Sequence, residues 1–104
     1  MSFDLIKIPG NIKSVDGSES QMVEIFVFAL STCMWCKLGK EWLNERGYGY
    51  SYLDIDKLPV KEKNKLKKDI ENQFGVRPRF PFFIINKTQY VSGYEPALWE
   101  EMIK

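Results

Sequence analysis

Cys33 and Cys36 are the only two cysteines of the chain, and they form a single Cys-x-x-Cys pair, Cys33-Met34-Trp35-Cys36. On a helix, side chains at this spacing share a face and approach to about 5–6 Å, within the separation that a disulfide tolerates. The chemistry such a pair supports is thiol–disulfide exchange. One thiolate attacks a disulfide sulfur and forms a mixed disulfide; the second thiol then attacks that bond and releases the reduced partner. Two other uses of paired cysteines fit less well. A structural zinc takes four protein ligands, and one pair supplies half of them. A bridge across so short a loop constrains the unfolded chain little, and disulfide-stapled scaffolds carry several bridges.

The chain has no histidine. It therefore lacks a Ser-His-Asp or Cys-His nucleophile, an imidazole base and any His-ligated zinc or haem. Position has to activate the thiol instead. Val23, Ile25 and Val27, with Phe26 and Phe28 between them, leave almost no polar face, as in a central strand buried on both sides. Ser31-Thr32 then offers capping hydroxyls, and a helix is predicted from about the first cysteine to Arg46, with Leu38, Trp42 and Leu43 at helical spacing and Gly47 as its stop. At such a junction, unpaired N–H groups and the helix dipole stabilise negative charge on Cys33. A thiol so placed can fall from about 8.5 to roughly 3.5–7.5. Cys36, one turn deeper and less exposed, is the resolving thiol. Lys37 and Lys40 either add positive potential there or point into solvent.

The remaining elements follow from periodicity and breakers. Tyr50 to Asp56 reads as a strand, with Ser51, Leu53 and Ile55 alternating against Tyr52 and Asp54. Pro59 opens a second helix with Leu66, Ile70 and Phe74 on one stripe, closed by Gly75. Phe82 to Asn86 is a third strand, turned by Asn86-Lys87-Thr88-Gln89 into a fourth at Tyr90 to Ser92. Pro96 starts a last helix in which Leu98, Trp99, Met102 and Ile103 face the core. Upstream, Leu5, Ile6 and Ile8 predict a short strand ended by Pro9-Gly10, and Asn11 to Ser20 a turn-rich stretch; a partly disordered arm is the alternative. At 104 residues this is one α/β domain over 22–104 with an N-terminal extension over 1–21.

Charge narrows the partners. Fifteen basic residues against 14 acidic ones give no global field for nucleic acid or an anionic membrane. Lys61, Lys63, Lys65, Lys67 and Lys68 make the second helix basic, but Glu62, Asp69 and Glu71 are interspersed, as on a solvated face; an acidic docking partner is the other reading. No uncharged apolar run approaches the roughly 18 residues of a membrane span. The segment Met1-Ser2-Phe3-Asp4-Leu5-Ile6-Lys7 lacks the basic region followed by an apolar stretch of a secretory signal, so the expected location is cytoplasmic.

Thr32-Cys33-Met34-Trp35-Cys36-Lys37, Tyr52-Leu53-Asp54-Ile55-Asp56, Phe80-Pro81 and Ser92-Gly93-Tyr94 together resemble the glutaredoxin branch of the thioredoxin fold, from about residue 22 to the end. The resemblance implies a strand-helix-strand-helix-strand-strand-helix domain, a four-stranded mixed sheet flanked by three helices, with an added N-terminal strand. It implies a cis Phe80-Pro81 peptide facing the cysteines, whose backbone pairs with an extended substrate. Trp35, Arg79, Phe80, Pro81, Gly93 and Tyr94 would then line the substrate site. Glutathione-binding members usually carry Pro-Tyr between the cysteines, a lysine three residues before the first, Thr-Val before the proline and Gly-Gly-x-Asp-Asp later. Here Met34-Trp35, Leu30, Arg79-Phe80 and Ser92-Gly93-Tyr94-Glu95-Pro96 stand in those places. The Ser-Gly-aromatic-x-Pro sequence looks more like the redoxins that serve ribonucleotide reductases, which a thioredoxin-reductase-type flavoenzyme reduces. Arg77 and Arg79 either restore carboxylate binding or are solvated loop residues.

The expected activity is therefore reduction of protein disulfides or glutathione mixed disulfides by a monomer with no tightly bound cofactor and no metal. Its electron donor would be the flavoenzyme or a low-molecular-weight thiol, with glutathione as a candidate reductant or substrate. Two other classes remain open: an iron–sulfur carrier in which two chains each donate Cys33 and two further thiols complete the ligands, and a redox-inactive binding module that keeps only the scaffold.

Overall fold

The strand that leads to the cysteines is the centre of the sheet. In the computed structural model, which describes residues 12–17 and 23–103, Ile25–Ala29 forms a strand buried along its whole length. Among the described residues, four more strands and three helices surround it. In chain order the elements are β1 (Lys13–Val15), β2 (Ile25–Ala29), α1 (Met34–Glu45), β3 (Tyr50–Asp54), a 3-10 turn (Ile55–Lys57), α2 (Val60–Phe74), β4 (Phe82–Ile85), β5 (Gln89–Ser92) and α3 (Pro96–Ile103). The sheet order is β1-β3-β2-β4-β5. Only β2 and β3 run parallel, joined by the α1 crossover; β1 on β3, β4 on β2 and β5 on β4 are antiparallel.

Alternation along the strands divides the core. Ile25, Val27, Phe83 and Ile85 point to one face, where Cys36, Trp42 and Leu43 of α1 and Trp99 and Ile103 of α3 cover them. Phe26, Phe28, Phe82 and Ile84 point to the other, under Leu66 and Ile70 of α2. β2 and β4 are apolar on both sides because helices lie on both sides. The helix ends follow their signals: Pro59 precedes α2, and Gly75 closes it in the left-handed region at φ 72°.

Three expectations need correction. The strand predicted at Leu5, Ile6 and Ile8 lies outside the described residues, and the described N-terminal strand falls at Lys13–Val15, inside the stretch read as turns. It docks because Gly17 and Gly49 let two backbones meet: a Cβ on Gly17 would stand 2.5 Å from the Gly49 nitrogen. The strand expected to reach Asp56 ends at Asp54, and Ile55 stays buried by entering the 3-10 turn rather than by alternation. Leu98 is 44% exposed, because the single buried stripe of the eight-residue α3 is taken by Trp99 and Ile103 at i,i+4.

Candidate active site

The cysteines lie where β2 hands over to α1, with Cys33 as the N-cap of that helix. Its backbone is extended there (φ −89°, ψ 119°), and its sulfur, not a hydroxyl of Ser31 or Thr32, accepts a free donor of the first helical turn. The Cys36 N–H donates to Cys33 Sγ at 3.3 Å, while the Cys33 carbonyl already accepts from the Lys37 N–H at 3.1 Å. A cap position ordinarily held by a serine or aspartate oxygen is here occupied by a sulfur, so a donor that the helix would otherwise leave unsatisfied faces it.

The two thiols differ in environment. Cys33 is half-buried, whereas Cys36 is 1% exposed and belongs to the core beneath it. Burial, followed by the hydrogen bond to Cys33, pushes the Cys36 thiol up to about 12, against a weaker opposing pull from the Leu30 N–H, which donates to Cys36 Sγ at 3.4 Å. Neither sulfur is in a disulfide. The arrangement presents one accessible sulfur on a helix terminus and holds a second in reserve one turn below.

Phe80-Pro81 is a cis peptide, as the resemblance implied. Pro81 is fully buried, and its ring lies against α1 at Gly39, where an added Cβ would stand 3.1 Å from Pro81 Cγ and 3.3 Å from Trp99 Cη2. Gly39, three residues past Cys36, therefore sets how closely the cysteine helix approaches the proline; the helical pattern alone marks it only as a gap. The Gly93 N–H is shared between the carbonyls of Arg79 (3.1 Å) and Pro81 (3.0 Å), and the Arg79 N–H donates to Ser92 Oγ at 2.9 Å. Gly93 makes this turn at φ 90°, where side-chain-bearing residues are strained. The segment before the proline and the Ser92-Gly93 turn thus hold one another.

The aromatic residues divide between rim and core. Trp35 is 55% exposed and rests against Tyr94 with ring centroids 5.1 Å apart, so it is both open to solvent and packed on the adjacent loop. Tyr94 in turn meets the edge of Trp99, which stacks on Phe83 at 4.1 Å. Met34 is 72% exposed beside Cys33. Arg77 and Arg79 are both exposed. Lys40 neither points into open solvent nor stands free: it pairs with Asp54 at 3.2 Å and lies over the Tyr52 ring. On α2, Lys65 pairs with Asp69 at 3.0 Å on the outer face.

A cavity of about 380 Å³ opens beside Cys33 between Ser31, Met34, Lys37 and Leu38. Another of about 380 Å³, bounded by Lys13, Tyr52, Asp54 and Lys57, lies toward the β1 edge and contains no thiol. Sequence reasoning missed one contact at the site. Ser31, expected to cap α1, instead directs its backbone N–H and its hydroxyl to the carboxylate of Asp56. The partners are 25 residues apart, and no local pattern joins them.

Similarity to known proteins agrees with this geometry. The sequence pattern of the Glutaredoxin family matches residues 23–88. The chain is 34% identical over 58 residues to the N-acetyl-S-hydroxy-L-cysteine reductase of Bacillus subtilis (strain 168), spanning 57% of that relative's length and 56% of its own. It is 30% identical over 74 residues to the glutaredoxin-like protein NrdH of Lactococcus lactis subsp. cremoris (strain MG1363), covering 90% of that protein and 70% of this one. The crystal structure of the glutaredoxin from Methanosarcina mazei Go1 superposes with a TM-score of 0.68 at 26% identity, over 89% of this chain and 88% of that one. With a five-stranded thioredoxin fold, a Cys-x-x-Cys helix cap and the family pattern across most of its length, the chain belongs to the glutaredoxin family.

Proposed function

We propose that this protein is a dithiol thiol–disulfide oxidoreductase in which Cys33 is the nucleophile and Cys36 the resolving thiol. The observation that carries the reading is the contrast between the two sulfurs. Cys33 caps α1 and receives a backbone N–H, while Cys36 is buried and pushed up to about 12, so it stays protonated while the first sulfur reacts. Cys33 thiolate attacks a substrate disulfide, one substrate thiolate leaves, and a mixed disulfide forms. Cys36 then attacks Cys33 Sγ as its proton passes to the departing substrate sulfur; the internal disulfide forms and the second substrate thiol leaves. The substrate chain lies extended along the Phe80-Pro81 backbone, between the Trp35–Tyr94 pair and the turn at Arg79 and Gly93.

Protein disulfides are the proposed substrates, with a thioredoxin-reductase-type flavoenzyme as electron donor in preference to glutathione. Leu30 supports this choice. It stands where a glutathione-binding relative carries lysine, and its side chain packs into the core, so no cation meets a tripeptide carboxylate there. Cys33→Ser should abolish reduction of a model disulfide, and Cys36→Ser should trap a mixed disulfide detectable by mass spectrometry. Normal turnover by the Cys33→Ser protein would sink the mechanism. Comparing glutathione with the flavoenzyme as reductant of the oxidised protein tests the donor; equal or faster reduction by glutathione would reverse that assignment.

A further inference from the structure

The cysteine pair is joined to the rest of the molecule through residues 30–33. Leu30 contacts both sulfur-bearing residues: its N–H donates to Cys36 Sγ at 3.4 Å, and its carbonyl accepts from the Cys33 N–H at 3.2 Å. The next residue is held from elsewhere. The Ser31 N–H donates to Asp56 Oδ1 at 2.8 Å, and the Ser31 hydroxyl donates to Asp56 Oδ2 at 2.5 Å. The peptide unit between Leu30 and Ser31 is therefore gripped at both ends, its oxygen by Cys33 and its N–H by Asp56. Asp56 is itself on the surface, but it follows Ile55, which is fully buried, in the 3-10 turn after β3. One carboxylate, mounted on the core, thus occupies both of its oxygens with a single residue of the cysteine loop. The Ser31 hydroxyl, ahead of the remaining contacts, also holds the Asp56 carboxyl below its ordinary value, as expected of an ionised acceptor.

We propose that Asp56 is a positioning residue for the resolving half of the reaction: through Ser31 it fixes the 30–33 turn and so keeps the Leu30 N–H aimed at the Cys36 sulfur. The inference rests on the dithiol reading above. The two sulfurs depend on the turn unequally. Cys33 Sγ takes its donor from Cys36 within α1, which does not involve Ser31, whereas Cys36 Sγ takes its donor from Leu30, one residue before the grip. Negative charge develops on Cys36 only when its proton leaves during resolution, and a hydrogen bond strengthens as its acceptor becomes charged. Loosening the turn should therefore slow the second step and spare the first.

An aromatic disulfide whose thiolate absorbs visible light separates the two steps in one stopped-flow trace of the full chain. The first thiolate is released when Cys33 attacks, and the second when Cys36 resolves the mixed disulfide. Asp56→Ala is expected to slow the second phase about five- to tenfold, the loss set by a charge-assisted contact at a surface, with the first phase within about twofold of the unaltered protein. Asp56→Asn keeps an oxygen for the Ser31 N–H and should fall between, as should Ser31→Ala, which loses only the hydroxyl contact. A second phase unchanged in Asp56→Ala and Ser31→Ala would overturn the proposal, and so would equal slowing of both phases. If Asp56→Ala does not fold by far-UV circular dichroism, Asp56→Asn and Ser31→Ala decide by the same criteria. Release of fewer than two thiolates by the unaltered protein would instead count against the dithiol reading.

Discussion

On the α1–α3 face of the sheet, Trp99 stacks on Phe83, meets the edge of Trp42 and closes on Gly39, so large rings interlock around the cysteine helix. On the opposite face, α2 contributes only the aliphatic Leu66 and Ile70 until its end, where Phe74 meets Phe82 and Tyr90; further rings there, Phe26 and Phe28, belong to the sheet and meet edge to face. The first face fixes the cysteine helix in position and orientation, and with it the place of Cys33 relative to Pro81. The second closes the core and leaves its outer surface to lysines and carboxylates. Packing of this interlocked kind transmits a change at one residue to the site; a simple apolar stripe should not.

The largest effect that tests this contrast comes from truncating each face in turn. Trp99→Ala should cost about 3–5 kcal/mol in denaturant unfolding and also alter Cys33 alkylation, because the cysteine helix loses the ring that packs against Trp42 and Gly39. Ile70→Ala should cost about 2–5 kcal/mol and leave the alkylation rate unchanged. An equal change in reactivity from both variants would erase the distinction.

Alkali should act through the cysteine face next. Burial pushes the Cys36 thiol up to about 12 in the folded protein, from an ordinary value of 9.0. Its folded value is raised, so the associated stability is fully present below pH 9.0 and is lost as the pH rises toward about 12. The reduced protein should lose on the order of 3 kcal/mol across that window, while the oxidised protein, with no proton on Cys36, lacks this loss. Parallel pH–stability curves for the two redox forms would contradict the burial of that thiol.

Glycines give a smaller and more local comparison. Gly39→Ala adds a Cβ against Pro81 and Trp99, neither of which has room to retreat; a net cost of about 1–2 kcal/mol should be accompanied by altered thiol reactivity. Gly75→Ala meets nothing within 4 Å but must adopt φ 72°, which should cost about 1 kcal/mol with unchanged reactivity. Smallest of all, Lys65→Ala removes the surface pair with Asp69 and should shift stability by about 0.3–0.5 kcal/mol. A change in cysteine chemistry from that substitution would show that α2 is more than a solvated cover.

The element order and the cysteine junction were legible because each rests on local signals. Continuous apolar residues mark β2, Pro59 and Gly75 bracket α2, and the two cysteines follow a buried strand directly. What escaped depends on distant partners. Lys13–Val15 is too short to show alternation and becomes a strand only by pairing with Tyr50–Tyr52. Leu98 satisfies a helical pattern that Trp99 and Ile103 already fill. Ser31 has the residue type of a helix cap, but the cysteine two positions later supplies the capping atom, and Asp56 takes the hydroxyl. Gly39 matters through the size of what faces it, which no residue of α1 reveals.

The three-residue β1 has a consequence for how the molecule behaves at high concentration. Without it, β3 would border the sheet, offering Tyr50, Ser51 and Tyr52 with open backbone donors and acceptors to any extended chain, including another copy of itself. Lys13, Ser14 and Val15 satisfy those positions and replace a long border by a short one that begins with a charge. The close crossing of Gly17 over Gly49 holds this cover in place. Among the described residues, β1 thereby covers the backbone positions of Tyr50 to Tyr52 along which sheets of neighbouring molecules would otherwise join.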